Sequence, residues 1–207
     1  MTGLRDREPD ENEPALLRAI RAVGDLLGAE GESVGIVVVG GAAMMLGGLV
    51  TRVTEDVDII AAALPWRGRA PRRIAPPDAL PASLLRAISR VARDFNLPER
   101  WMNAEVGAQW TSGLPPGFEK RVQWLRFGSL TLGIAGRRDL IFLKLDAAVD
   151  SEGPQSVHYQ DLLALHPDER ELTAAARWVK TQDTSGEFAR MLEEVLRHVN
   201  WDQEEPR

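Results

Sequence analysis

With 207 residues and 44% apolar side chains, the chain is long enough for one domain with a real core and a small helical appendage. It contains no cysteine, which excludes disulfides and thiolate metal sites and fits a reducing cytoplasm. A net charge of −6 argues against a generic nucleic-acid binder, although local basic patches stay open.

The N-terminal segment, MTGLRDREPDENEP, is polar and acid-rich and has no apolar signal core, so residues 1–14 read as a disordered acidic tail. Leu16, Leu17, Ile20, Val23, Leu26 and Leu27 then recur at helical spacing, which predicts an amphipathic helix ending near Gly28. A buried strand follows over Val34–Val39. Gly40-Gly41 turns the chain into a short helix from Ala42 to about Leu46, and Gly47-Gly48 closes it. Val50–Ile60 reads as a second strand. The stretch Val34–Val50 is uncharged and nearly long enough to span a membrane, but five glycines and a β-branched block fit strand–turn–helix better. No membrane association is expected.

Leu64–Pro81 is dominated by Pro and Arg and reads as a loop. Its arginines, Arg67, Arg69, Arg72 and Arg73, are either a solvated surface or a mobile arm for a polyanionic or nucleotide substrate. Leu80–Phe95 is predicted helical, with Leu84, Leu85, Ile88, Val91, Ala92 and Phe95 on one face. Val122–Phe127 and Leu130–Ala135 form a predicted hairpin through Gly128-Ser129. Arg137–Val149, a stretch from Tyr159 to Leu165, Leu172–Val179 and Phe188–Val199 complete the helices. The expected fold class is α/β (α+β): a mixed sheet of four or five strands flanked by helices. The domain reading is a tail over 1–14, a main domain over 15–166 and a C-terminal helical extension over 167–207.

The chemistry concentrates in IVVVGGAAMMLGGLVTRVTEDVDII, residues 36–60. On one continuous strand, Asp56 and Asp58 would share a face about 7 Å apart at roughly 3.3 Å per residue. Two carboxylates aimed at one spot repel unless a cation lies between them, and Mg²⁺ held by carboxylates and substrate phosphates is a common solution. The glycines do not form a P-loop, because no Lys-Ser or Lys-Thr follows them, and they do not form a GxGxxG fingerprint.

Strand, Gly-Gly, short helix and a strand with Asp-x-Asp together resemble the nucleotidyltransferase (polymerase-β-like) superfamily. Within it, GGAAMMLGGLVTRVTEDVDI is similar to the branch of AbiEii-type toxins and uncharacterised bacterial relatives. Trp101-Met102-Asn103, LPPGFEKR, LTLGIAGRRDLIFLKLDAA and HYQDLLAL resemble later elements of that branch. The resemblance covers about Leu26–Leu165.

It implies that Asp56 and Asp58 coordinate Mg²⁺ (or Mn²⁺), and that Gly40 and Gly41 let the backbone approach the triphosphate of an NTP. Arg52 and Thr54 match the Arg and Ser/Thr that precede the acidic pair, and Thr54 would reach a phosphate oxygen. Lys144 would neutralise the triphosphate, and Asp161 would act as a third carboxylate or orient the acceptor hydroxyl. The acceptor is a hydroxyl of RNA (tRNA included), protein or a small molecule. The branch also implies a cytoplasmic toxin with an antitoxin partner. One departure stands out: Leu130–Ala135, where many members carry a third catalytic acid, has Gly133 and no acid.

The residues themselves leave alternatives. Lys144 could be a surface lysine, Asp161 an N-terminal helix charge, and Thr54 a plain strand residue. Trp66, Trp101, Trp110 and Trp124 could stack on a base or fill a core. A non-catalytic nucleotide-binding or protein-interaction module on the same fold is the rival from another class. A metal-dependent phosphohydrolase ranks last, since only three histidines are present.

Overall fold

A computed structural model describes residues 5–6, 13–52, 54–64, 73–78, 80–151 and 156–204. In chain order the elements are β1 (Arg5–Asp6), α1 (Ala15–Ala29), β2 (Val34–Val39), α2 (Gly40–Leu46), β3 (Val57–Ala63), β4 (Ile74–Ala75), α3 (Ala82–Asp94), β5 (Met102–Asn103), α4 (Gln109–Ser112), β6 (Gln123–Phe127), β7 (Leu130–Ile134), α5 (Arg137–Val149), α6 (Val157–Ala164), α7 (Glu169–Val179) and α8 (Gly186–Glu204). Single 3₁₀ turns occupy Glu105–Ala108 and Phe118–Lys120. The chain folds into two compact units, Met1–Trp110 with Gly117–Gly136, and Thr111–Pro116 with Arg137–Arg207.

The first unit is built on a mixed seven-stranded sheet in the order β1-β6-β7-β2-β3-β4, with β5 also paired to β3. β2 lies at its centre, parallel to β7 and antiparallel to β3. Its sequence, VGIVVV, suits that place: a strand covered on both faces needs a near-continuous apolar run, and β-branched residues fit the pleat. Ile36, Val37 and Val38 are fully buried. α1 packs on α3 and on the β6–β7 hairpin through Leu16, Leu17, Ile20, Val23 and Leu27. Each such side chain contributes about 1.5–3 kcal/mol when removed from water. At Gly24 the helix lies so close to the hairpin that a β-carbon would overlap the Phe127 carbonyl oxygen.

Several expectations shift. The fold class stands, with three two-residue strands beyond those read from pattern. The second strand begins at Val57 rather than Val50, because its ladder starts where Val57 N–H donates to the Trp101 carbonyl at 2.6 Å. Residues 54–56 are therefore irregular, with only Asp58 of the acidic pair inside the strand. On α3, Leu85 is 49% exposed and Phe95, just past the helix, is 38% exposed, so neither belongs to the buried stripe of Leu84, Ala87, Ile88, Val91 and Ala92. Within the expected tail, Arg5–Asp6 pair with β6, Glu13 bonds Arg21 at 2.8 Å and Pro14 caps the start of α1; residues 1–4 and 7–12 lie outside the described residues. So do Trp66, Arg67, Arg69 and Arg72, whereas the Arg73 carbonyl accepts the Leu64 N–H at 2.9 Å.

The second unit is helical. α5 is its central element, packed by α6, α7 and α8, and is buried along most of its circumference. Phe142 and Trp178 meet with ring centroids 5.7 Å apart. α7 starts with a reciprocal cap: Asp168 Oδ1 accepts Glu171 N–H at 2.7 Å, and Glu171 Oε2 accepts Asp168 N–H at 3.0 Å. Arg137 clamps the preceding corner, donating to Leu165 O at 2.9 Å, to His166 O at 2.7 Å, and to both Glu171 oxygens. That guanidinium holds the Glu171 carboxyl below its ordinary pKa. Among the described residues, no helix is long and apolar enough to cross a membrane.

Candidate active site

The site in the first unit begins where β2 ends. Val39 is the last strand residue, and Gly40 turns the chain into α2 with φ of +67°, a left-handed conformation that glycine adopts without steric cost. Register places Asp58 directly across from Val39. Its carboxylate consequently stands against the turn, and a β-carbon on Gly40 would collide with Asp58 Oδ2. A bare backbone is required at this point.

The next residue is held from the other side. A β-carbon on Gly41 would come within 3.0 Å of Thr54 Oγ1 and 3.4 Å of the Arg52 Nη2. Thr54 is buried, and its hydroxyl donates a short hydrogen bond to Asp56 Oδ1. Asp56 and Arg52 are exposed, and Asp58 is half-buried. Gly40 touches Asp58, Gly41 touches Thr54 and Arg52, and Thr54 touches Asp56. Six residues singled out by sequence thus form one continuous cluster around the β2–α2 turn.

On its far side, β3 pairs with β5, placing Asn103 in register with Asp58. Sequence reading marks Asn103 only as part of a motif; two residues of parallel strand carry no periodicity that would reveal the neighbour.

Lys144 and Asp161 come together in the second unit. Both are buried, and Lys144 Nζ lies 2.7 Å from Asp161 Oδ2. His158 Nδ1 is 3.4 Å from the same ammonium. Lys144 is therefore no surface lysine. Two residues further along α5, burial pushes the Asp146 carboxyl up to about 6, with the Asp150 charge adding to the shift.

The donor set suits a hard cation. Asp56, Asp58 and Thr54 offer only oxygen, the chemistry of Mg²⁺ or Mn²⁺ rather than of a thiolate or imidazole site. The bare backbone at Gly40 is what lets the Asp58 carboxylate stand against the turn. Among the described residues, no three His, Asp or Glu side chains gather tightly enough to cage a metal alone. An ion held here would take its remaining ligands from substrate oxygens and water.

Residues 15–164 match the model of a family described as nucleotidyltransferase of unknown function (DUF6036). No curated protein and no solved structure matches the chain.

Proposed function

This chain belongs to that nucleotidyltransferase family, and from this membership we propose that it transfers a nucleoside monophosphate from an NTP to a hydroxyl acceptor, with Mg²⁺ or Mn²⁺ held by Asp56 and Asp58. The observation that carries the reading is the close approach of Gly40 to Asp58, which sets a side-chain-free backbone against a carboxylate at one strand end. Bound there, the divalent ion supplies charge neutralisation at the phosphates and at the departing pyrophosphate.

The chain's own residues bind and orient. Gly40 and Gly41 admit the triphosphate to the backbone, while Thr54 and Arg52 supply a hydroxyl and a guanidinium for phosphate oxygens. In the transfer, the acceptor hydroxyl releases its proton to water, its oxygen bonds to the α-phosphorus, the bond from that phosphorus to the bridging oxygen breaks, and pyrophosphate leaves with the pair of the broken bond. Catalysis of this kind comes mainly from positioning and electrostatic stabilisation. The resemblance assigns Lys144 to the triphosphate and Asp161 to the acceptor hydroxyl. It also points to a cytoplasmic toxin with an antitoxin partner, acting on RNA (tRNA included), protein or a small alcohol.

Calorimetry of NTP binding, with and without Mg²⁺, tests the core of the reading on the wild type and on Asp56→Ala/Asp58→Ala. Magnesium-dependent binding that disappears in the double variant is expected. A well-folded wild type that binds no NTP overturns it. The second reading, a non-catalytic nucleotide-binding or interaction module, is favoured by one observation: Lys144 and Asp161 already satisfy each other. Magnesium-dependent binding without turnover on any hydroxyl acceptor would select it.

A further inference from the structure

We infer that Asn103 is a nucleotide-binding residue of this site, its side-chain amide donating a hydrogen bond to a phosphate oxygen; the inference rests on the nucleotidyltransferase reading above. Asp58 has a strand neighbour on each side, Val39 of β2 and Asn103 of β5. Residues paired in register share a face of the sheet, so Asn103 is placed on the same face as Asp58, on strands about 4.8 Å apart.

The position of β5 is firmly set. Val57 N–H donates to the Trp101 carbonyl, and the Trp101 ring is 1% exposed with its indole N–H donating to Ile88 O at 3.2 Å. A two-residue strand adds little to the sheet, but it delivers Asn103 to this one register position.

The amide is oriented as well as placed. Asn103 Oδ1 accepts the Glu105 N–H at 3.0 Å, and Nδ2 donates to Arg100 O at 3.3 Å. Rotating the amide by half a turn would set oxygen against carbonyl and nitrogen against N–H, so these two bonds fix which atom is which. An asparagine amide carries two N–H donors. One is used by Arg100; the other has no partner among the described residues. Asn103 is half-buried as a residue while its amide bonds are exposed, so the remaining donor is open to a ligand on the face that carries the carboxylate assigned to the metal–phosphate group.

The decisive variant is Asn103→Ala, which removes the donor without adding a charge. Asn103→Asp is read beside it: aspartate keeps an oxygen to accept the Glu105 N–H but sets its other oxygen against the Arg100 carbonyl and adds a negative charge, so only undiminished binding in it is informative. Wild type, Asn103→Asp, Asn103→Ala and Asp58→Asn are titrated with Mg·ATP and with inorganic triphosphate, and thermal melting checks each fold. Loss of a hydrogen bond to a charged acceptor predicts about ten- to hundredfold weaker binding of both ligands to Asn103→Ala. Wild-type affinity in Asn103→Ala or in Asn103→Asp, alongside lost affinity in Asp58→Asn, overturns the inference and leaves the function standing. So does weakening confined to ATP, which would send the donor to the nucleoside. Undiminished binding in Asp58→Asn overturns both.

Discussion

Gly40 and Asp58 meet so closely that the glycine's missing side chain is a condition for the carboxylate's position. Gly40→Ala brings two penalties, a left-handed backbone at φ +67° and a collision with Asp58 Oδ2. Gly48 separates them, since it has φ of +68° but nothing within 4 Å of an added β-carbon. Gly48→Ala should cost only the backbone term, about 1–2 kcal/mol, and leave nucleotide affinity intact. Gly40→Ala should cost more and weaken Mg·NTP binding at least about tenfold, as the carboxylate is pushed aside. Equal melting and equal affinity in the two variants would contradict the packing at the turn.

The Lys144–Asp161 pair makes a prediction about stability. Removing one member of a buried ion pair strands the other charge and costs about 3–5 kcal/mol, whereas replacing both with apolar groups of similar volume is far milder. Urea unfolding of Lys144→Met and Asp161→Leu should show large losses for each single change. The double variant should recover most of the loss. His158, 3.4 Å from the ammonium, is a further partner for the stranded lysine in Asp161→Leu. Single losses below about 1 kcal/mol would mean that the pair is solvated.

Asp146 sets a pH dependence. Its folded pKa is raised to about 6 from 3.8, so between those values the folded state holds a proton that the unfolded chain has released. Stability from this group is complete below about pH 3.8, falls as pH rises through 6, and is lowest above it. Asp146→Asn should therefore stabilise the protein at pH 7–8, by about 1 kcal/mol once solvent screening of the partly exposed group is allowed for. That gain should vanish near pH 4. Thermal melts of both proteins across this range check it, and a gain independent of pH would refute the assignment to charge.

Trp110 guards an irregularity in the sheet. The register between β2 and β3 slips by one residue after Val37, and Ile60 is the extra residue. Trp110 donates its indole N–H to the Ile60 carbonyl at 2.6 Å. Trp110→Phe leaves that carbonyl without its donor and should cost about 1–3 kcal/mol. Amide exchange should quicken around Ile59–Ala61 before it does in α1. Protection unchanged at those positions would show that the indole is not what holds the irregularity.

Long helices were legible because apolar residues recur every three or four positions, as in α1 and α3. The start of β3 was not. Val50, Thr51 and Thr54 have the branched side chains of a strand, but pairing waits for the Trp101 carbonyl, a partner distant in sequence. β1, β4 and β5 are too short for any alternation to show. The cluster around Gly40, Gly41, Arg52, Thr54, Asp56 and Asp58 was legible through local spacing. The mutual capture of Lys144 and Asp161 was not, because it depends on how two separate helices pack. Trp101, read as either core or stacking surface, is core.

The slip at Ile60 acts like a frameshift for side-chain direction. After it in the chain, Ala61 shares a face with Val37; before it, Asp58 shares a face with Val39. In an unslipped ladder Ile59 would take the place across from Val39, and Asp58 would turn to the opposite side. Loss of Ile60 itself would leave Ala61, Ile59 and Asp58 opposite Val37, Val38 and Val39, so a single-codon deletion there removes the kink and keeps the carboxylate at the glycine turn.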